Sequence, residues 1–94
     1  MAYSATKGAL NTFTKALAKE LAPSNIQVNA LACGIIDTKM NAHLSQADLD
    51  AIIDEIPAGR IGTPEDIADA VSALLQSGNY LTGQIISVDG GWTV

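Results

Sequence analysis

Apolar residues recur at intervals of three and four along the first stretch of the chain, at Leu10, Phe13, Leu17 and Leu21, while Lys15, Lys19 and Glu20 fall on other faces. That period predicts an amphipathic helix from Ala2 to about Ala22, stopped by Pro23. In "NIQVNAL" (25–31) Ile26 and Val28 alternate with polar residues before the run turns apolar, which predicts a short strand feeding a loop at Ala32–Gly34. Ser45 stands three residues before Asp48, close to a capping box, and Leu44 and Leu49 are placed as a hydrophobic staple ahead of Ile52, Ile53 and Ile56. A second, short helix is expected there. Thr63-Pro64-Glu65-Asp66 supplies a capping hydroxyl, a proline at the first helical position and two carboxylates in the first turn, so a third helix should run to about Ser77. Its apolar face is Ile67, Ala70, Val71, Leu74 and Leu75. "GQIISVDGG" then predicts a brief β-branched strand ended by a Gly-Gly turn, with Trp92 near the terminus.

The order helix, strand, helix, helix, strand predicts an α/β chain, because a strand that returns to a strand through helices makes a parallel crossover. Parallel sheets are normally covered on both faces and built from more than two strands. Two short strands with three helices leave sheet edges and helix faces unpaired, so the chain reads as part of a larger domain.

Composition sharpens this expectation. Hydrophobic residues make up 48% of the 94 and charged residues 16%, an apolar balance for a chain that can bury only roughly 60–65% of its unfolded surface. Some apolar surface should therefore meet a partner. The net charge of −5 and the lack of any Lys/Arg run exclude nucleic acid and anionic membranes as partners. Cys33 is the single cysteine and His43 the single histidine, so neither an intrachain disulfide nor a metal-ligand cluster is expected. No apolar run approaches the ~18–20 residues of a membrane span, and no basic segment followed by an apolar one opens the chain, so a cytoplasmic location is expected.

Candidate chemistry begins in "YSATKGAL" (3–10), where Tyr3 and Lys7 stand four apart. On a helix such residues share a face with Cβ atoms about 5–6 Å apart. A phenol has a reference pKa of about 10, and a fixed cation beside it favours the phenolate. The pair can then give and take a proton, although Tyr-x-x-x-Lys alone also occurs in many helices as an exposed pair of no consequence. "GRIGTPED" (59–66) places glycines before a helix start, yet no strand feeds it and no GK[ST] follows, so phosphate binding is not expected. Arg60 is expected to pair with a nearby carboxylate, with lining of a substrate mouth as the other reading. His43 is expected in a loop.

"YSATKGALNTFTKALAKELAPSNIQVNALACGIIDTKM", followed by "PAGRIGTPEDIADAVSALL" and "LTGQIISVDGGW", closely resembles the C-terminal part of the short-chain dehydrogenase/reductase family, nearest in wording to 3-oxoacyl-carrier-protein reductases. The likeness covers nearly the whole chain, and several separated motifs agree in order and spacing. It implies the C-terminal portion of a Rossmann-like, doubly wound parallel sheet, with residues 1–94 forming part of one domain whose Gly-rich dinucleotide-binding half, with its catalytic serine, is absent. Tyr3 matches the family's catalytic tyrosine, which protonates a carbonyl oxygen as hydride arrives or removes the hydroxyl proton in reverse. Lys7 matches the lysine that holds the nicotinamide ribose hydroxyls and lowers the tyrosine pKa. The family's Pro-Gly-x-Ile-x-Thr loop corresponds to "CGIIDT", so Gly34, Ile36 and Thr38 would meet the nicotinamide of NAD or NADP, the chain keeping only that end of the cofactor site. Cys33 stands where the family usually has proline, which removes a fixed φ and adds a thiol. Asn41 to Ile61 matches the mobile region that covers a small carbonyl or alcohol substrate.

The resemblance also implies homo-oligomers built through the first helix and the C-terminal region, helped by the small residues Ser4, Ala5, Gly8 and Ala9. Asp48, Asp50, Asp54, Glu55, Glu65, Asp66 and Asp69 face only Arg60, an acidic stretch whose default reading is a solvated helix surface. If it has functional weight it would repel an acidic acyl carrier protein. Two functional expectations result. The chain is either the catalytic and nicotinamide-seating part of a carbonyl/alcohol oxidoreductase, inactive on its own, or a non-catalytic piece that serves as an association module or is an unstable remnant.

Overall fold

The computed structural model describes residues 2–37 and 43–93, with side chains from residue 5 onward. Helix α1 spans Ala2–Leu21 and passes into a 3-10 turn at Ala22–Ser24, where Pro23 ends the α pattern. Strand β1 is Ala30–Cys33, helix α2 Gln46–Glu55, helix α3 Pro64–Leu75 and strand β2 Ile85–Val88. This is the expected helix-strand-helix-helix-strand order. The two strands form one two-stranded sheet. Ala30 N–H donates to the Gln84 carbonyl and Gly34 N–H to that of Val88, so both strands advance in the same direction and the sheet is parallel.

The chain divides into two compact units, Met1–Leu31 with Leu75–Ile86, and Ala32–Leu74 with Ser87–Val94. In the first unit α1 buries Thr14 and Ala18, the Thr14 hydroxyl donating to the Leu10 carbonyl at 2.9 Å. A Cβ added at Gly83 would lie 3.4 Å from Ala18 Cβ, so Gly83 lets this face of α1 pack tightly. Along the apolar stripe of α1, Leu17 and Leu21 are half-buried, whereas Leu10 is 56% and Phe13 61% exposed.

The first strand starts later than its alternation predicted. Ile26 and Val28 precede the ladder, and Ile26 is exposed. Over this stretch a single backbone bond, from Gly83 N–H to the Val28 carbonyl at 2.8 Å, is joined by side-chain bonds: Val28 N–H donates to Thr82 Oγ1, the Asn29 amide to the Leu81 carbonyl, and Gln84 N–H to Asn29 Oδ1. Regular β pairing begins only at Ala30.

In the second unit both helices start at the expected caps. Ser45 Oγ accepts from Asp48 N–H at 3.2 Å. Replacing Ser45 by alanine should cost α2 about 0.5–2 kcal/mol, read as faster amide exchange at Asp48 and Leu49, with Ser45→Asp retaining protection. Helix α3 ends at Leu75, two residues short of the expected Ser77, and Leu75 itself is 83% exposed. Ile56 is the buried apolar residue of this unit among those described. No described helix is long and apolar enough to cross a membrane.

Candidate active site

Positions 3 and 7 both belong to α1, one turn apart. The Tyr3 side chain lies outside the described residues, whereas Lys7 is described and exposed. Ala5, Gly8 and Ala9 beside it are exposed as well, and a Cβ added at Gly8 would meet nothing within 4 Å. The helix therefore presents a low, open surface next to the lysine.

Gly34 and Ile36 belong to the second unit, and Thr38 lies outside the described residues. Gly34 follows β1, and a Cβ there would sit 2.6 Å from Asp89 Cβ and 2.8 Å from Asp89 Cα. Such distances are inside van der Waals contact, so only glycine allows the loop to lie against the backbone after β2. Two residues on, Ile36 forms a parallel bridge with Gly62. Gly62 N–H donates to the Ile35 carbonyl at 2.9 Å, and the Gly62 carbonyl accepts from Asp37 N–H at 2.8 Å. Parallel pairing of this kind turns the N–H and C=O of Ile36 itself toward the opposite edge.

Asp89 is tied down in turn. Its carboxylate accepts from the Thr93 hydroxyl and from Gly91 N–H, and these bonds, the Thr93 one first, hold it below the usual carboxylate range. Gly90, at φ +64, offers its carbonyl to Ala58 N–H at 2.9 Å. A cavity of about 180 Å³ in this unit, open to the surface, is lined by Ile35, Ile36, Arg60, Asp66, Val88 and Asp89 among others.

Arg60 makes the expected ion pair and also lines this cavity. Its guanidinium grips Asp66 through both nitrogens, at 2.7 and 3.0 Å. The same carboxylate accepts from Thr63 N–H at 2.8 Å, while Thr63 Oγ1 accepts from Asp66 N–H, a capping box closed by aspartate. The Arg60 hydrogen bonds first, then that of the Thr63 N–H, hold the Asp66 carboxyl far below its ordinary 3.8. The start of α3 is thus filled by the chain's own carboxylate. Because the folded pKa is depressed, this contribution to stability is complete above pH about 4 and is lost as pH falls below it. The ¹³Cγ shift of Asp66 should accordingly stay at its ionised value through pH 3, and should titrate near 4 in Arg60→Gln/Thr63→Ala.

Gly62 and Asp89 escaped prediction, although a glycine just ahead of the Thr63 cap was a visible signal. His43 lies in a turn, as expected, and Cys33 is exposed. No group of three metal-ligating side chains occurs among the described residues.

Residues 1–93 match the family model described as enoyl-(acyl carrier protein) reductase. The chain is 54% identical over 91 residues to the uncharacterized oxidoreductase YmfI of Bacillus subtilis, covering 96% of this chain and 38% of that protein. It is 49% identical over 90 residues to the 3-oxoacyl-[acyl-carrier-protein] reductase FabG of Aquifex aeolicus, covering 95% and 36%. Among solved structures, the active-site complex of Pseudomonas aeruginosa RhlG with NADP superposes with a TM-score of 0.86 at 38% identity, over 99% of this chain and 39% of that one. The chain therefore spans well under half the length of these relatives. With the parallel α/β order and these matches over nearly the whole of its length, the chain belongs to the short-chain dehydrogenase/reductase family.

Proposed function

We propose that this chain supplies the acid–base pair and the nicotinamide seat of an NAD(P)-dependent oxidoreductase that interconverts a ketone and a secondary alcohol, with 3-oxoacyl compounds as the substrate class. The observation that carries this reading is the placement of positions 3 and 7 one turn apart on α1 in a chain of this family. Tyr3 gives its phenolic proton to the carbonyl oxygen in reduction and takes a hydroxyl proton in oxidation. Lys7 acts on Tyr3 through charge, since a cation one turn away favours the phenolate, each unit of lowering being worth about 1.4 kcal/mol.

One feature fits a nicotinamide. The open surface at Ala5, Gly8 and Ala9 leaves room beside Lys7, whose ammonium would bind ribose hydroxyls. The group, when bound, supplies or accepts the hydride. Gly34, Ile36 and Thr38 would hold its ring face toward the substrate. NADP in the RhlG complex supports a nicotinamide dinucleotide, and the name of the Aquifex aeolicus relative supports the substrate class.

The reading is tested in a completed reductase, made by exchanging this chain for the matching segment of the Aquifex aeolicus relative. Cofactor-dependent reduction of a 3-oxoacyl thioester that requires Tyr3 supports it, and reduction indifferent to Tyr3 overturns it. Alone, the chain is expected to turn over no ketone with NADH or NADPH. A second reading, as an association module, is favoured by the exposed Leu10 and Phe13, a surface suited to a second copy of the chain. Leu10→Ser/Phe13→Ser should then abolish dimers in sedimentation.

A further inference from the structure

We propose that the groove between the C-terminal end of α1 and the chain at Thr82 and Gly83, just ahead of β2, is a binding site for a small amphipathic anion. The ligand class is a carboxylate on an aliphatic chain, with its head between Lys15 and Lys19 and its chain on Ala18, Ala22 and Gly83. The groove belongs wholly to the first unit, is open to the surface and has a volume of about 320 Å³, at the small end of the ~300–1,000 Å³ usual for ligand sites. It lies about two turns along α1 from Lys7 and shares no residue with the proposed acid–base pair or with the loop at 34–38.

Lys15 and Lys19 stand one turn apart on α1 and are both exposed. Like charges at that spacing destabilise a helix. Among the described residues neither ammonium has a carboxylate partner, the ion pair there being Arg60–Asp66, and Glu20, next along the chain, is turned about 100° away from Lys19. Two neighbouring cations without a counter-charge fit an anion seated between them. The floor beneath them is hydrocarbon: Ala18 is 2% exposed, and a Cβ at Gly83 would touch Ala18 Cβ. The Thr82 hydroxyl that lines the groove is spent on Val28, accepting from its N–H at 3.0 Å and donating to its carbonyl at 3.5 Å. A polar ligand body would find no partner there, whereas an aliphatic chain fits, and the lysine stems extend the apolar wall. The buried line of α1, Thr14 and Ala18, also separates the groove from the apolar stripe, since at about 100° per residue Leu10, Leu17 and Leu21 fall on one side of that line and Lys15 and Lys19 on the other. A partner seated on Leu10 and Phe13 would leave the groove open.

Octanoate titrated into the full chain tests this, read from amide chemical shifts. Saturable shifts are expected at residues 15–22 and at Thr82 and Gly83. Lys15→Met/Lys19→Met should weaken binding about tenfold, with a urea midpoint equal to the parent's or slightly higher because the like-charge repulsion is gone. Octanol, the same chain without the charge, should bind about tenfold more weakly than octanoate, and acetate, the charge without the chain, should not saturate. Ala22→Met fills the groove from an exposed position and keeps both charges, so it should weaken octanoate about tenfold as well. Equal affinity for octanoate and octanol, or equal affinity of the parent and the double-methionine variant for octanoate, would overturn the proposal. So would shifts centred on Leu10 and Phe13, which would put the chain on the open stripe. Silence with octanoate while polyglutamate moves the same amides would make the lysines a patch for acidic chains and overturn it too. None of these readouts uses cofactor or turnover, so the result is independent of the oxidoreductase reading.

Discussion

Tyr3→Phe in the completed reductase is expected to lower kcat by about 10³-fold while the KM for NADPH changes little, since a positioned general acid contributes roughly 10²–10⁴-fold. The phenyl ring keeps the shape of the side chain and removes only the proton that the ketone oxygen needs. Lys7→Met should lose a comparable factor but also raise the KM for NADPH, because in the proposed reading the ammonium would act on both the phenol and the ribose. This split is informative. If Lys7 merely stabilised α1, its loss would lower the unfolding midpoint and leave the kinetic constants of the folded enzyme alone. Steady-state kinetics with a 3-oxoacyl thioester, at pH values on both sides of neutrality, reads both effects.

Gly34→Ala is the second large effect. The added methyl would overlap Asp89 at both its Cβ and its Cα, and backbone atoms cannot swing aside as the end of a flexible side chain can. Overpacking of this kind costs typically about 1–3 kcal/mol, and the strain falls on the bond from Gly34 N–H to the Val88 carbonyl at 3.0 Å. The urea midpoint should drop accordingly, and the surviving folded protein should bind NADPH more weakly because Ile36 has been pushed off its line. By contrast Gly8→Ala adds a methyl to open space on an exposed helix and replaces the poorer helix former. It should leave stability equal or slightly higher, which makes it the control for a generic glycine effect. Equal urea midpoints for Gly34→Ala and the parent would mean that the loop does not lie against Asp89.

What could be read from residue order alone follows a physical line. Helices α1, α2 and α3 were legible because their ends are marked by local chemistry: Pro23 after α1, Ser45 before α2, Thr63-Pro64 before α3. Strand β1 was placed too early because Ile26 and Val28 alternate like a strand, while the decisive bonds come from the Asn29 and Thr82 side chains, partners far apart along the chain. Which part of the α1 face is buried does not follow from its period: Thr14 and Ala18 adjoin Leu10, Leu17 and Leu21 around the helix, and burial falls on the part that meets a neighbour, as Ala18 meets Gly83. Periodicity reports amphipathicity and leaves the partner unnamed.

The site divides the same way. The spacing of Tyr3 and Lys7 is a one-turn relation and was visible at once, and the "CGIIDT" segment was visible through resemblance. The support beneath it was not. Gly34 on Asp89, Ile36 on Gly62 and Gly90 on Ala58 are all contacts between stretches separated in sequence, and each is made possible by the absence of a side chain. Arg60 was legible as half of an ion pair, whereas the sharing of one Asp66 oxygen with the Thr63 cap is a matter of geometry alone.

The account stands on a cationic amine one turn from a phenol, and the most direct measurement is a pH titration of the Tyr3 ¹³Cζ resonance, assigned with the help of Tyr80→Phe, in the parent chain and in Lys7→Met. The expected result is a Tyr3 midpoint below the ordinary value of about 10 in the parent, returning toward it when the amine is removed. Identical midpoints in the two proteins would contradict it.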